Sequence, residues 1–348
     1  MSFWKNKKVL ITGHTGFKGS WLAFYLSYLG AKVVGYSLKP EKYHKLFKIL
    51  NIKKNISRSI FGDINDSKKI QLTIKKFKPE FIFHLAAQPF VIDSFKNPVS
   101  NYKTNISGII NVLESIRGLS YIKSVVIVTS DKCYKILKKN IAYKEDSHLG
   151  GDDPYSASKA CAEIITNSYI KSFFNNSSTK ISTVRSGNIL GGGDWGKNRL
   201  IPDIINSFKN KYKINIRNIN SVRPWTYILD TLTGYLLVAQ RNYYSNNYLG
   251  AWNFSTKNNC KNSVGAIIEY AINQNYLKKE DILFKKKFYS ETYKLAIDSK
   301  KAKKLLGWEP KLNFIDTLEY TFEWYKKYFQ NQNMEIFTLL QLKKYLKK

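Results

Sequence analysis

An α/β fold built on a doubly wound parallel sheet is the fold class that the sequence predicts, with a smaller C-terminal region beside it. Short, almost wholly apolar runs recur at 7–12, 81–88 and 124–131, and such runs are typical of strands buried on both faces. Between them lie segments whose apolar residues recur three and four positions apart, as on one face of a helix. Strands that alternate with helices in this way form a parallel sheet covered on both faces.

The elements can be placed in chain order. After the strand at 7–12, the spacing of Trp21, Leu22, Tyr25, Leu26 and Leu29 predicts a helix. Further strands are predicted at 31–38, 81–88, 124–131, 180–191 and 251–256, and further helices at 101–117, 156–174 and along the tail, 298–348. The alternation is lost from about residue 194. We therefore predict one domain over 1–190, with a returning segment near 220–256, and a second region over 191–348 that includes the C-terminal helices.

The composition is that of a packed globular chain. Of 348 residues, 43% are hydrophobic and 15% are aromatic, and no run of about 18 apolar residues indicates a membrane span. The N-terminus passes into the first strand without the apolar core of a signal peptide. Cys133, Cys161 and Cys260 are widely spaced and form no CxxC pair. This pattern argues against a disulfide framework or a metal site and favours a reducing, cytoplasmic location.

The charge balance is strongly basic. Lys and Arg number 57 against 25 Asp and Glu, which gives a net charge of +32. Such a balance can indicate a nucleic-acid partner, but the basic runs here are short and scattered among Asn, Ile and Tyr. We expect neither a nucleic acid nor a membrane as partner. The positive field is instead expected to attract small anionic substrates.

A glycine-rich turn follows the first strand and opens the first helix. Gly13, Gly16 and Gly19 lie in the spacing GxxGxxG, and glycine lets the backbone approach a pyrophosphate at a helix N-terminus. This position in the first βα unit predicts a Rossmann-type dinucleotide site. Asp63 could lie near an adenine, although Gly62 and Asp63 also suit an ordinary turn. The acidic residue that usually binds the ribose at the end of the second strand is missing, so the residues alone do not separate NAD from NADP.

Two further motifs carry candidate catalytic groups. In YSASK, Tyr155 and Lys159 lie one helical turn apart, and an ammonium beside a phenol lowers its pKa and makes it a usable base. Chance pairs of this kind are expected in a chain with 24 Tyr and 57 Lys and Arg. However, TSDK, from Thr129 to Lys132, ends a buried strand at the edge where ligands bind in parallel sheets. Together the two motifs favour one joint site.

Arginine-rich motifs follow in RSGNILGGGDWGKNRLIPD and RPWTY. Arg185, Arg199 and Arg223 have the forked donors that suit diphosphate oxygens. Trp195 and Trp225 could stack on a base, although core packing is expected for most of the seven tryptophans, Trp308 and Trp324 among them.

Taken in order, the glycine turn, HLAAQ (84–88), TSDK and Tyr-x-x-x-Lys resemble the extended short-chain dehydrogenase/reductase superfamily. TGHTGFKGSW, NILGGGDW, RPWTYILD and GWEPKL narrow the resemblance to the CDP-glucose 4,6-dehydratases, over about residues 5–330. The resemblance implies a Rossmann-type doubly wound sheet that holds NAD tightly and a smaller C-terminal substrate-binding region. It implies a lyase that converts CDP-glucose to CDP-4-keto-6-deoxyglucose by internal redox, for deoxysugar and polysaccharide biosynthesis.

The resemblance also implies a role for each matching residue. Tyr155 takes the hydroxyl proton at sugar carbon 4, Lys159 lowers the Tyr155 pKa and binds the nicotinamide ribose, and Ser130 hydrogen-bonds the carbon 4 oxygen. Asp131 protonates the hydroxyl that leaves carbon 6, and Lys132 is the candidate base at carbon 5. Cofactor contacts are implied for Gly13, His14, Gly16, Phe17, Gly19, Asp63 and Ala86, and substrate contacts for Gln88, Asn188, Arg199 and Arg223.

Some alternatives stay open at this point. The chain carries Asp93 where the resemblance leads us to expect a basic residue, which bears on the identity of the nucleotide or sugar. A dehydratase or 4-epimerase for another nucleotide sugar is one alternative, and a non-enzymatic NAD-binding regulator is another. The Asp131–Lys132 pair favours elimination over epimerisation, and the intact Ser130, Tyr155 and Lys159 argue against a regulator. The resemblance further implies a homodimer or homotetramer.

Overall fold

A computed structural model describes residues 2–137, 141–256, 262–284 and 295–348. The strands within these residues are β1 (Lys8–Thr12), β2 (Lys32–Ser37), β3 (Arg58–Phe61), β4 (Phe81–His84), β5 (Ser124–Val128), β6 (Ala142–Tyr143), β7 (Lys180–Ser186), β8 (Ile189–Leu190), β9 (Ile214–Ile216), β10 (Thr226–Tyr227), β11 (Gly250–Phe254), β12 (Ile282–Phe284) and β13 (Ala296–Ile297).

The α-helices within the same residues are α1 (Phe17–Tyr28), α2 (Lys45–Ile49), α3 (Ile52–Asn55), α4 (Ser67–Phe77), α5 (Val91–Lys96), α6 (Pro98–Tyr102), α7 (Gly108–Ile116), α8 (Pro154–Tyr169), α9 (Leu200–Asn210), α10 (Ile228–Tyr244), α11 (Val264–Asn273), α12 (Phe314–Phe329) and α13 (Met334–Lys347). Short 3₁₀ turns lie at Asp131–Cys133, Asn246–Tyr248 and Lys279–Asp281, and π-helical turns at Lys103–Ser107, Ile170–Phe174 and Ala302–Leu306.

The central sheet has seven strands in the order β11-β7-β5-β4-β1-β2-β3. Every neighbouring pair in it is parallel, which confirms the predicted fold class. The chain runs outward in both directions from β1 and β4, so the order reverses between these two strands. In open sheets of this kind the crevice at the carboxyl ends of such a pair is where ligands bind.

Alternate side chains of the strands build two separate cores. Val9 and Ile11 of β1 pack in the core that also contains α1, α10, α12 and α13. Leu10, between them, packs in the core formed with α4, α7 and α8 on the other face. Both faces of the sheet are therefore buried, and this explains why β1, β4 and β5 appear in the sequence as almost wholly apolar runs.

Several outcomes differ from the sequence expectations or refine them. The edge strand β3 was not predicted, because its side chains are partly or fully exposed and leave no apolar run. The tail is helical only in part, since 307–313 separates its π-helical turn from α12. Trp308 and Trp324 are 2% and 0% exposed, which confirms their core packing.

The C-terminal half returns to the sheet. Strand β11 pairs with β7 along its whole length, from Gly250 opposite Ser182 to Phe254 opposite Ser186, and α10 packs on β5 and β7. The division into a domain over 1–190 and a region over 191–348 stays a prediction. Cys133 and Cys161 are free thiols, and Cys260 lies outside the described residues. Among the residues that the structure describes, no helix is both long and apolar enough to cross a bilayer.

Candidate active site

In the glycine turn after β1, the backbone at Gly13 and Gly19 packs directly against other backbone atoms. Gly13 has φ +78°, and a Cβ there would lie 2.8 Å from the backbone nitrogen of Ala86. A Cβ on Gly19 would lie 2.1 Å from the Gly13 carbonyl oxygen. The Thr12 hydroxyl oxygen accepts hydrogen bonds from the backbone N–H groups of Leu85 and Ala86 at 3.1 Å each. These contacts join the ends of β1 and β4 and leave the N-terminus of α1 open to the crevice.

The crevice widens into a cavity of about 1710 Å³. It is lined by the glycine turn and Asp63 on one side, by Ser130, Asp131, Lys132, Tyr155 and Lys159 in the middle, and by Asn188, Arg199 and Arg223 on the other. Phe17, Ala86 and Gln88 also line it. The structure therefore brings together all but one of the residues to which the resemblance assigned a role in catalysis, cofactor binding or substrate binding.

The exception is His14, which is fully buried and does not line the cavity. Its Nε2 lies 2.7 Å from the Ser59 hydroxyl of β3, and a Cβ on Gly35 of β2 would lie 2.2 Å from its ring. Burial lowers the pKa of His14 to about 4. His14 thus packs the glycine turn against β2 and β3 rather than facing a ligand.

Polar groups at the end of β5 form the floor of the cavity. Thr129, Ser130 and Asp131 are 3%, 8% and 4% exposed. The Ser130 hydroxyl donates to Asp131 Oδ1 at 2.9 Å, while Asp131 Oδ2 is buried with no hydrogen-bond partner. Burial raises the pKa of Asp131, against the opposing charge of Lys132. A carboxyl group in this setting can hold a proton and donate it to a ligand.

Helix α8 places Tyr155 and Lys159 above this floor. The Asp153 carboxylate caps the helix by accepting the backbone N–H of Ser156 at 2.9 Å, and Pro154 occupies the first turn. Tyr155 and Lys159 are 9% and 4% exposed. The Lys159 ammonium donates to the Val128 carbonyl at 3.4 Å. These contacts hold both side chains at the carboxyl end of β5.

The protonation of Tyr155 differs from the expectation. The sequence predicts that Lys159 lowers its pKa, yet burial raises the pKa of Tyr155 to about 12, and a hydrogen bond with Ser130 and the charge of Arg199 only partly oppose the rise. Lys159 Nζ lies 5.9 Å from the centroid of the Tyr155 ring. Burial also lowers the pKa of Lys159 to about 8. For Tyr155, desolvation therefore outweighs the hydrogen bond and the positive charge that lower its pKa.

The arginines of the third motif have different environments. Arg185 was expected to suit a diphosphate, but it is 3% exposed, forms an ion pair with Glu163 at 2.8 Å and does not line the cavity. Arg199 is partly exposed, lines the cavity and forms an ion pair with Asp194 at 2.9 Å. Arg223 donates to the Val222 carbonyl at 3.0 Å and also lines the cavity. Only the latter two arginines can reach a ligand there.

The two tryptophans of the arginine-rich motifs also differ in their environments. Trp195 is 4% exposed and packs edge-on against Tyr325 at 5.4 Å, so it belongs to the core. Trp225 lines the cavity, and its indole N–H donates to the Asn262 carbonyl at 3.0 Å.

Lys18 and Asp203 are among the ionisable residues of the cavity that were not singled out from the sequence. Lys18 lies in the first turn of α1, and burial, with the charges of Lys159 and Arg199, lowers its pKa to about 7. Asp203 lies in the first turn of α9, and burial raises its pKa to about 6. A lysine inside the glycine motif and an acid directly after Pro202 were the signals available. Within the described ranges, no group of three or more His, Cys, Asp or Glu could hold a metal ion.

Comparisons with known proteins agree with this geometry. The sequence pattern of the family described as GDP-mannose 4,6 dehydratase matches residues 10–321. The chain is 38% identical to CDP-glucose 4,6-dehydratase from Salmonella typhimurium, over 99% of this chain and 98% of the relative.

Solved structures share the fold. The dTDP-glucose 4,6-dehydratase from Bacillus anthracis in complex with NAD superposes with a TM-score of 0.77 and 24% identity, over 92% of this chain and 97% of that one. The UDP-glucose 4-epimerase from Thermotoga maritima superposes with a TM-score of 0.79 and 22% identity, over 92% and 99%. The resemblance seen in the motifs is confirmed, and the chain belongs to the GDP-mannose 4,6-dehydratase family.

Proposed function

We propose that this chain is a CDP-glucose 4,6-dehydratase, a lyase that forms CDP-4-keto-6-deoxyglucose. The observation that carries the proposal is the meeting of Ser130, Asp131 and Lys132 with Tyr155 and Lys159 in one cavity that also reaches the glycine turn. An epimerase needs a base at carbon 4 but no acid and base at carbons 5 and 6. The relative from Salmonella typhimurium, 38% identical over nearly the whole chain, supports the choice of CDP-glucose.

The part of the cavity beside the glycine turn has residues that are suited to bind NAD. Gly13 and Gly19 leave no space for a Cβ, so the turn is tight and packs backbone against backbone at the end of β1. The N-terminus of α1 lines the cavity, and backbone N–H groups at such a position can bind a pyrophosphate. Asp63 and Ala86 line the same part of the cavity and would contact the adenosine and nicotinamide portions of the cofactor. When bound there, NAD supplies the oxidation of sugar carbon 4 and the later reduction of carbon 6.

Tyr155 is the proposed base at carbon 4, with Ser130 as a hydrogen-bond partner of the same oxygen. Because burial holds the Tyr155 pKa at about 12, the phenol needs a cation to release its proton near neutral pH. Arg199 is a cation whose charge lowers the pKa of Tyr155. Arg199 therefore favours the phenolate only in part, in addition to the substrate contact implied by the sequence, and we assign the remaining activation of Tyr155 to Lys159, as the resemblance implies.

Asp131 and Lys132 are the proposed acid and base of the elimination. Burial raises the pKa of Asp131, which favours the protonated carboxyl group, and the unpartnered Oδ2 can deliver a proton to the hydroxyl that leaves carbon 6. Lys132 lines the same cavity and, as the neutral amine, takes the proton from carbon 5, which a ketone at carbon 4 acidifies. Loss of the two groups from neighbouring carbons releases one water.

The side of the cavity that is lined by Asn188, Arg199 and Arg223 is the proposed site for the nucleoside diphosphate of the substrate. Arg199 and Arg223 would bind its oxygens, with Asn188 and Gln88 toward the sugar. The Gln88 side-chain oxygen already accepts the Asn101 amide at 2.8 Å, which fixes its orientation. Asp93, the departure from the expected basic residue, lines the cavity on α5 together with Lys96, one turn along the same helix. A cation on the same helix therefore accompanies the negative charge of Asp93 in the cavity lining.

We infer that the chain assembles as a homodimer or homotetramer in the cytoplasm. Val99 on α6 and Ile164 on α8 are 78% and 56% exposed, and these two helices pack together, so apolar surface is present for a second copy. The free Cys133 and Cys161 suit a reducing compartment. Light scattering of the purified protein would give the mass, and a monomer at micromolar concentration would contradict the assembly.

The test of function is incubation of the purified protein with CDP-glucose, and with UDP-, dTDP- and GDP-glucose in parallel, without added reductant. Loss of one water from CDP-glucose alone, read from the product mass, is the expected result. Loss of water from another nucleotide sugar would keep the mechanism and reassign the substrate. An unchanged mass with all four would overturn the dehydratase, and a changed sugar stereochemistry at that mass would identify an epimerase.

A further inference from the structure

A buried ion pair lies directly behind the proposed site. Glu163 and Arg185 are 4% and 3% exposed, and neither lines the cavity. Glu163 accepts from Arg185 Nε at 2.9 Å and from Nη2 at 2.8 Å. Two buried ions are expensive to desolvate, and an apolar pair of similar volume often stabilises a fold as well. The position of this pair therefore needs a further explanation.

Glu163 connects the two elements that carry the site. It lies one turn after Lys159 on α8, so the two side chains share a face of the helix. Its carboxylate also accepts the hydroxyl of Thr129 and that of Thr183 at 2.6 Å. Thr129 directly follows Val128, whose carbonyl accepts the Lys159 ammonium. The same carboxylate thus anchors the end of β5 to the helix that carries Lys159.

The charge of Glu163 matters to Lys159 as well. The described groups that interact with Lys159 come from four elements: Glu163 on its own helix, Lys18 on α1, His84 on β4 and Cys133 after β5. Tyr155, one turn earlier on α8, completes the set. Burial lowers the pKa of His84 and raises the pKa of Cys133, so both are neutral near pH 7. Of these groups, Glu163 is the one that carries a negative charge.

We propose that Glu163 is a positioning residue for the dehydratase site, which holds Lys159 in its place and in its charged form, and that Arg185 serves as its structural counter-ion. The role assigned to Lys159 rests on the proposed function. The link between Glu163 and Lys159 does not, because it follows from their shared helix face and from the hydrogen bonds of Glu163 to Thr129 and of Lys159 to Val128. The experiment therefore needs one readout that is independent of catalysis.

The proposal is tested by titrating Lys159 directly. Pulses of acetic anhydride between pH 6 and 10, followed by mass spectrometry of the peptide that contains Lys159, give the midpoint at which the amine becomes reactive. Three proteins are compared: the wild type, Glu163→Gln, and the double variant Glu163→Gln/Arg185→Met, which leaves no unpaired buried charge. Glu114→Gln, which removes a surface carboxylate paired with Arg117, is the matched control.

The expected midpoints follow a fixed order. Loss of the neighbouring negative charge lowers the midpoint by about one unit in the double variant, and by more in Glu163→Gln, where the charge of Arg185 remains. The control stays at the wild-type value. A folded double variant with the wild-type midpoint would overturn the proposal. If the double variant does not fold, an unchanged midpoint in Glu163→Gln would overturn it equally.

A second readout separates positioning from a purely structural role. If protonated Lys159 is required, the alkaline limb of kcat/KM moves with the labelling midpoint, and kcat/KM at pH 8 falls about fivefold for a one-unit shift. A merely structural pair would lower activity equally at every pH, and this result would contradict the proposal. If the wild type dehydrates none of the four nucleotide sugars, the proposed function fails, while the labelling midpoints still decide the role of Glu163.

Discussion

Lowering the pH from 7.5 to 5.0 should destabilise this fold through His84. This histidine ends β4 and is 2% exposed. The Thr12 hydroxyl oxygen accepts two backbone N–H groups, so its own hydrogen is donated to His84 Nδ1 at 2.8 Å. The ring hydrogen is then on Nε2, which has no partner. The hydrogen bond from Thr12 therefore selects the neutral tautomer of His84 that carries its hydrogen on Nε2. Burial, together with the charge of Lys159, lowers the pKa of His84 to about 3.

The magnitude follows from linkage. In the unfolded chain the imidazole titrates near its ordinary pKa of about 6.5, so between pH 7.5 and 5.0 the unfolded state gains a proton that the folded state does not. Stability is fully present above that value and is lost as the pH falls toward the folded pKa. At pH 5.0 the unfolding free energy is therefore about 2 kcal/mol lower than at pH 7.5 from His84 alone, at about 1.4 kcal/mol per pH unit.

The assay is urea unfolding, followed by tryptophan fluorescence at both pH values, of the wild type and His84→Gln. The glutamine carbonyl can still accept the Thr12 hydroxyl but does not titrate. The loss of stability on acidification should be about 2 kcal/mol smaller in the variant. His148→Gln, at an exposed position, should keep the wild-type response. An equal pH response in the wild type and in His84→Gln would refute the assignment of a neutral, buried His84.

Three further outcomes concern the site. Tyr155→Phe should abolish turnover while NAD binding, measured by calorimetry, is retained; full activity would remove Tyr155 from the mechanism. Asp131→Asn should slow the loss of water yet permit oxidation at carbon 4, so that a 4-keto sugar with its water retained accumulates; an unchanged product ratio would exclude Asp131 as the acid. Gly19→Ala should weaken NAD binding about tenfold or more, because its Cβ would lie 2.1 Å from the Gly13 carbonyl oxygen; wild-type affinity would show that the turn can yield.

Much of the fold was predictable because both faces of the sheet are buried in hydrophobic cores. Apart from their end residues, β1, β4 and β5 are apolar, and the turn after β1 needs glycine where two backbones touch. The edge strand β3 could not be found in the same way, since an edge strand needs no continuous apolar run. Short motifs placed the catalytic candidates well, because parallel strands bring their carboxyl ends to one edge.

The environment of each charged side chain was harder to predict. Arg185 and Arg199 occur in one motif, yet only Arg199 reaches the cavity. Arg185 lies within β7, whose residues are nearly all buried, and a buried arginine requires a carboxylate partner. That partner, Glu163, is distant in sequence and depends on how α8 packs on β7. The pKa of Tyr155 was mispredicted for a related reason, because a sequence shows the neighbouring lysine but not the extent of desolvation.

The late arrival of β11 in the sheet has a consequence for synthesis on the ribosome. By the time β7 has emerged, six of the seven strands are available, but the outer edge of β7 waits for β11. At roughly 5–20 residues per second, several seconds separate the two strands. During that interval a nascent chain exposes a row of unpaired backbone groups on β7, whose residues are nearly all buried in the finished fold, and such an edge is a template for pairing with a neighbouring chain. The interval of synthesis between β7 and β11 is therefore the stage at which this chain is expected to be most prone to aggregate, because the folded protein pairs that edge of β7 with β11.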